Sequence, residues 1–183
     1  MAAKATIFKA NLKIADMDRH YYQDHVMTIA RHPSEKDERM MVRLLAFAMH
    51  AHEHLEFGQG MTDDKEADLW QKDLTGVIKL WVDVGLPDDQ LVRKACGRAD
   101  KVVVYCYGGR VAEMWYAKNR AKFERHQNLC VVNLAQASTQ SMRALAQRTM
   151  SLQCTIQDNQ IWLGDDKESV VVEYMVLKDM YNI

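Results

Sequence analysis

The sequence predicts one α/β domain: a mixed central sheet flanked by helices, with an additional antiparallel sheet built from strands at the two chain ends. Three observations predict it. The 183 residues are 48% hydrophobic and 27% charged with only two prolines, a balance that suits one folded domain with its own core. Strand-like segments with partial alternation of β-formers stand at both ends. Between them the order runs helix, three strands and then helix and strand, with a short helix before the third strand; this is the order of a mixed sheet covered by helices. The core is expected over residues 34–134, with terminal hairpins over 4–31 and 150–177.

Each element has its own signal. "KATIFKANLKI" and "YYQDHVMTIAR", joined by "ADMDR", predict an antiparallel hairpin. "HPSEKDERMMVRLLAFAMHAHE" predicts a helix capped by Ser34, with Asp37 three residues on. "HLEFGQ", "DLTGVIKLWVDVG" and "KVVVYCYG" predict strands, and between the last two "PDDQLVRKACGRA" predicts a short helix opened by Pro87 and Asp88 and stopped near Gly97. "RVAEMWYAKNRAKFERH" predicts a helix, "NLCVVNL" a strand and "STQSMRALAQRT" another helix. The tail "SLQCTIQDNQIWLGDDKESVVVEYMVL" returns to hairpins, with turns near Asp158-Asn159 and Gly164-Asp165.

Composition excludes several classes. Lysines interrupt "MAAKATIFKANLKIAD", and no long uncharged apolar run follows, so neither a signal peptide nor a membrane partner is expected and the compartment is cytoplasmic. Cys96, Cys106, Cys130 and Cys154 stand singly among apolar neighbours, as reduced buried thiols do. A net charge of −1 leaves nucleic-acid binding to a local basic patch. Nothing in the pattern bears on oligomeric state.

The candidate chemistry begins with Asp83. Strand period two places Ile78, Leu80, Val82 and Val84 on the core face and Asp83 on the other, near the strand's C-terminal end, where open α/β sheets place ligand crevices. The competing reading is a solvated edge acid. Glu38 is the second oddity: at 100° per residue it falls in line with Val42, Leu45 and Met49, on the apolar stripe of its helix. First-turn acids also serve the helix dipole, which is its plainer reading. Together with Asp73, just ahead of the strand, these carboxylates make a set of hard oxygen ligands for Mg²⁺ or Mn²⁺ at a phosphodiester-cleaving site. Such a site needs a cation beside it to place water and neutralise growing charge.

A helix, a strand, a strand with Asp and a strand with Asp/Glu-x-Lys, followed by helix and strand, is the order of the PD-(D/E)XK nuclease superfamily, whose core this chain resembles. More closely, "KATIFKA", "RHPSEKDERMMVRLLA", "LWVDVGLPDDQLVRKAC" and "TMSLQCTIQDNQIWL" resemble the YaeQ family, a divergent branch of that superfamily, over nearly the whole chain. The resemblance implies a nuclease-like fold with Glu38, Asp73 and Asp83 as metal ligands. One departure stands out: Gly85 occupies the position of the motif lysine. Similarity to branches whose cation has migrated to the following helix points to Lys94. Arg93 flanks the apolar stripe of that helix at a similar angle, and the preference for lysine rests on its tunable pKa.

Two further features carry candidate chemistry. Residues Arg110 to Arg125 carry five cations against Glu113 and Glu124, with Trp115 and Tyr116 interleaved; this either tracks a DNA or RNA backbone, led by Arg110 at a helix start, or is an amphipathic helix with its aromatics in the core. In "HAHEH", His50 and His54 stand at i and i+4 and would share a metal ion if the helix extended that far. Two functions follow: a Mg²⁺-dependent nuclease with Lys94 placing the water, or a catalytically silent descendant of the fold that binds or regulates.

Overall fold

The computed structural model describes residues 4–59 and 65–181. In chain order it begins with β1 (Thr6–Asp16), β2 (Tyr21–Arg31), α1 (Asp37–His50), β3 (Leu55–Phe57), β4 (Leu69–Lys72) and β5 (Ile78–Val84). It continues with α2 (Asp89–Arg98), β6 (Ala99–Cys106), α3 (Arg110–Phe123), β7 (Leu129–Leu134) and α4 (Gln136–Arg143). Four strands close it: β8 (Thr149–Gln157), β9 (Gln160–Gly164), β10 (Ser169–Val172) and β11 (Tyr174–Lys178). These form two compact units: the chain up to Ala51 with Ala137–Glu173, and His52–Gln136 with the chain from Tyr174 on.

The first unit is a five-stranded sheet of order β10-β9-β8-β1-β2 with α1 against it. β1 and β2 pair antiparallel without a bulge from Thr6↔Arg31 to Asp16↔Tyr21. On its other side β1 pairs with β8 in parallel, from Lys9↔Thr149 to Asp16↔Ile156, so the added sheet is mixed and not purely antiparallel. At the β8–β9 turn, Asp158 and Asn159 have φ of 53° and 61°, the left-handed pair that a two-residue hairpin requires. α1 starts later than its sequence signal: the Ser34 hydroxyl is bonded to His32 Nδ1, and the extended residue before the helix is Lys36, with no side-chain cap. Arg43 of this helix is buried, and its guanidinium forks onto the equally buried Glu35 at 2.7 and 2.8 Å and also donates to the Ala30 carbonyl at 3.0 Å.

The second unit is a six-stranded sheet of order β11-β7-β6-β5-β4-β3. β5, β6 and β7 run parallel, because α2 and α3 return the chain to the same end each time. Trp81, Val102, Val104, Cys106, Leu129 and Val131 share a core with Val92 and Ala95 of α2 and Ala112 and Phe123 of α3. Three details depart from the sequence reading. β4 carries no strong strand signal, yet it pairs with β5. The first residues of "DLTGVIKLWVDVG" form the turn between those strands, with Gly76 at φ +88°. β11, expected in the terminal hairpins, instead pairs with β7 across a register shift after Val176. There the buried Lys178 ammonium donates to the carbonyls of His126, Leu129 and Asp179 at 2.7, 2.9 and 3.2 Å, and burial lowers its pKa. The expected core boundaries at 34 and 134 therefore do not coincide with the units, since α1 groups with the terminal strands and β11 with the middle ones.

All four cysteines are free, and burial pushes Cys106 and Cys154 up to about 12. No described helix is long and apolar enough to cross a membrane.

Replacing Glu35 with Ala strands the Arg43 guanidinium in the interior. Losing one member of a buried ion pair costs about 3–5 kcal/mol, so the urea midpoint of the variant should fall accordingly; an unchanged midpoint would show that the pair is not what holds this helix start.

Candidate functional site

The second unit brings two carboxylates together at the C-terminal end of β5. β4 and β5 pair as Leu69↔Val82, so the residue before Leu69 falls beside the residue after Val82. Those residues are Asp68 and Asp83, both half-buried. Asp68 Oδ2 accepts the Val84 N–H at 2.8 Å, and Asp83 Oδ1 faces the Asp68 N–H at a long 3.4 Å. Asp83 shares its sheet face with Trp81 and, in register, with Val104, the face that α2 covers. Its field reaches that helix. Burial pushes the Cys96 thiol up to about 11, with the Lys178 ammonium working against the rise and the Asp83 carboxylate adding to it.

Beyond Asp83 the chain leaves the sheet through Gly85. Its N–H still donates to the Tyr105 carbonyl at 2.9 Å, but its φ is +107°, where a side chain is strained even though a Cβ would meet nothing within 4 Å. A lysine at position 85 would therefore be strained by the backbone itself. After the loop, Asp88 caps α2 by accepting the Leu91 N–H at 2.9 Å, close to the helix start expected at Pro87 and Asp88.

The structure does not bring Asp73 to this pair. Asp73 sits in the β4–β5 turn, where its Oδ1 accepts the Thr75 hydroxyl at 2.6 Å and the N–H groups of Thr75 and Val77 at 2.9 and 3.0 Å. Those bonds, led by the Thr75 hydroxyl, hold its carboxyl below the usual range. Asp83 lies five residues past the start of β5, roughly 17 Å along the strand, so one ion cannot span the two. Lys94 is not brought to Asp83 either. It is exposed, and on α2 it is turned about 200° from Cys96, the residue that senses Asp83; Arg93 is exposed as well, and its charge adds to burial and to Lys178 in lowering the His126 pKa. Glu38 lies in the first unit, where its Oε1 accepts the Thr139 hydroxyl at 2.8 Å in a cavity of about 380 Å³ shared with Arg31, Lys36, Asp37 and Arg143.

Arg110 is the first residue of α3, exposed, and preceded by Gly108 and Gly109 at φ +113° and +67°. Several of that helix's other side chains are committed elsewhere. Trp115 donates to the Pro87 carbonyl at 2.8 Å and Tyr116 to the Leu177 carbonyl at 3.0 Å, while Lys122 pairs with Asp89 and Arg120 with Glu124. Its aromatics hold the core instead of offering stacking surfaces. A cation that the sequence reading passed over is Arg98, whose guanidinium lies 5.0 Å from the Trp81 ring centroid, on the Asp83 face. Asp68 was passed over too. Its signal was the turn sequence "DLTG", which makes "LWQK" and "VIKLWVDV" a hairpin and sets Asp68 across from Asp83.

The histidine pair does not form a helical metal site, because α1 ends at His50 and Ala51 is extended, with ψ 128°. His54 pairs instead with Glu53 at 3.3 Å. Among the described residues no three His, Cys, Asp or Glu side chains are arranged to hold a metal ion. The donor set at Asp68 and Asp83 fits a hard cation that takes one or two carboxylates and completes its shell with water and phosphate oxygens.

Two measurements test this account. Gly85→Ala should destabilise the chain by about 1–3 kcal/mol in denaturant titration, and Gly85→Lys should share that loss. Wild-type stability in both variants would show the glycine to be dispensable. Burial, with help from Arg19, lowers His50 to about 4. Its folded pKa lies below the unfolded value near 6.5, so the unfolded chain binds the proton first and stability should be lost as pH falls from about 6.5 to 4. His50→Asn should flatten that slope in thermal scans.

Comparison with known proteins completes the description. The family described as YaeQ protein matches residues 1–174. Uncharacterized protein YaeQ of Escherichia coli (strain K12) is 44% identical over 172 residues, covering 94% of this chain and 95% of its own. That of Salmonella typhi is 40% identical over 173 residues, covering 94% and 96%. The crystal structure of the YaeQ protein from Xanthomonas axonopodis pv. citri superposes with a TM-score of 0.91 at 47% identity, over 95% of this chain and 98% of that one. The YaeQ protein from Pseudomonas syringae gives 0.90 at 31% identity, over 96% and 97%. Matched almost end to end by relatives and solved structures alike, the chain belongs to the YaeQ family.

Proposed function

We propose that the chain is a divalent-cation-dependent, nuclease-like phosphodiester hydrolase of PD-(D/E)XK type, with Asp68 and Asp83 as the ligands of Mg²⁺ or Mn²⁺ and DNA or RNA as the substrate. The observation that carries the reading is the facing carboxylate pair at the C-terminal end of β5, the place where open α/β sheets accept ligands. When bound, the ion would supply charge neutralisation and an activated water. The chain's own part is narrower. The Val84 N–H orients Asp68, and the β4–β5 pairing holds Asp83 beside it. Asp73 has no role in this reading, Glu38 and Lys94 are given no contact with the ion, and Arg110 is kept as a phosphate contact at a helix start.

A second reading has an observation of its own. Gly85 at φ +107° leaves no motif lysine to place water, which favours a descendant that binds a cation and nucleic acid without cleaving.

The test measures thermal stability and cleavage together. Mg²⁺ or Mn²⁺ should raise the Tm of the wild type, and Asp83→Asn and Asp68→Asn should each abolish that shift. Cleavage of single- or double-stranded DNA or RNA should appear with the ion and fall by on the order of a hundredfold or more in either variant. A Tm shift without cleavage supports the silent descendant, and no shift at all overturns both readings of the pair.

A further inference from the structure

The five-stranded sheet of the first unit has one covered face and one open face. β1 alternates strictly, with Phe8, Ala10, Leu12 and Ile14 buried and Lys9, Asn11 and Lys13 exposed. Register carries the open face across all five strands. Ala15 of β1 stands between Tyr22 of β2 and Thr155 of β8, Thr155 pairs with Trp162 of β9, and Trp162 with Val171 of β10. One row of the sheet therefore reads Tyr22, Ala15, Thr155, Trp162, Val171. The next reads Asp24, Lys13, Gln153, Gly164, Ser169, and Lys9 lies two rows further along β1.

Small side chains beside Tyr22 leave a hollow, with the half-buried Trp162 one strand beyond it. Tyr22, Ala15, Thr155, Lys13, Asp24 and Gln153 line a shallow concavity of about 700 Å³. Tyr22 is 59% exposed and Val26 on the same strand 88%, large apolar groups that no described residue covers. Tyr22 and Trp162 are three strand spacings apart, roughly 14 Å, and Lys9 and Lys13 are four residues apart, roughly 13 Å. In the exposed rows through Lys9 and Lys13 the charged side chains are those two lysines and Asp24, so two minus one leaves +1.

We infer that this open face binds single-stranded nucleic acid, with unpaired bases stacking on Tyr22 and Trp162 and the phosphate backbone meeting Lys13 and Lys9. Chemistry selects the occupant. A flat face that offers aromatic rings needs a ligand with exposed ring faces, and duplex bases hide theirs in the stack. Amide and hydroxyl groups at Asn11, Ser151, Gln153 and Thr155 suit base edges, which both donate and accept. The paired lysines add the charge that attracts phosphate. The inference does not rest on the carboxylate pair, since stacking and phosphate contact need no metal.

The test is fluorescence anisotropy of a labelled oligothymidylate with the full chain, in chelator and at low salt. Saturable binding that weakens steeply with added salt, and that exceeds binding of a duplex, is the expected result. Tyr22→Ala and Lys13→Glu should each weaken it by on the order of tenfold or more, with unchanged circular dichroism. Lys9→Glu is a second charge reversal should either variant misfold. Absence of binding, equal affinity for the duplex, or binding that survives Tyr22→Ala and both lysine reversals overturns the inference. So does a chain that dimerises through Tyr22, or captures an uncharged oligosaccharide there, while ignoring the oligonucleotide.

Discussion

β1 is hydrogen-bonded along both of its edges, to β2 beside it in sequence and to β8 on the far side of the chain, and the first unit depends on that double pairing. The hairpin alone would be a two-stranded ribbon of marginal stability. β8, placed in parallel, turns it into a surface on which the apolar length of α1 can be buried, and β9 and β10 then extend that surface strand by strand. The cost is loop closure across more than half the chain. Contacts so distant in sequence form late, which makes slow folding the expectation for this topology.

The second unit obeys a more local rule. Each parallel strand from β5 to β7 is followed or preceded by a helix that brings the chain back to the same end, so the strand termini gather at one edge of the sheet. Polar side chains at that edge escape the core without leaving the sheet. Asp83 does so because it stands one residue before the strand ends, and Asp68 because antiparallel pairing carries it to the same level. The carboxylates meet through backbone register, and no attraction between them is required.

How much was legible in the sequence follows the range of the cause. The helix start at Pro87 and Asp88, the Asp158-Asn159 turn and the burial of Cys106 and Cys154 follow from patterns within a few residues, whereas Cys96 and Cys130, expected to be buried too, are only half-buried. The YaeQ resemblance was legible as well, because its motifs are long. The partner of Asp83 was not, since β4 has four residues and too little period to announce itself. Asp73 misled for a related reason: an aspartate ahead of a strand looks the same whether it caps a turn or faces a ligand, and only the Thr75 and Val77 bonds separate the two. Ser34 shows the same limit, for a capping residue type is no cap when its hydroxyl is engaged by His32. The destination of β11 was beyond reach, because its choice between two sheets is decided by pairing with β7 and by the carbonyls around Lys178.

The order in which the chain visits its two units has a consequence for inheritance. It builds part of the first, all but one strand of the second, the remainder of the first and then the last strand of the second. Neither unit is a continuous stretch of gene. A recombination event cannot lift out one alone with its sheet complete, and a single break anywhere between β1 and β11 leaves at least one sheet short of a strand. An interleaved pair of this kind keeps both sheets complete only when the chain is copied or transferred whole.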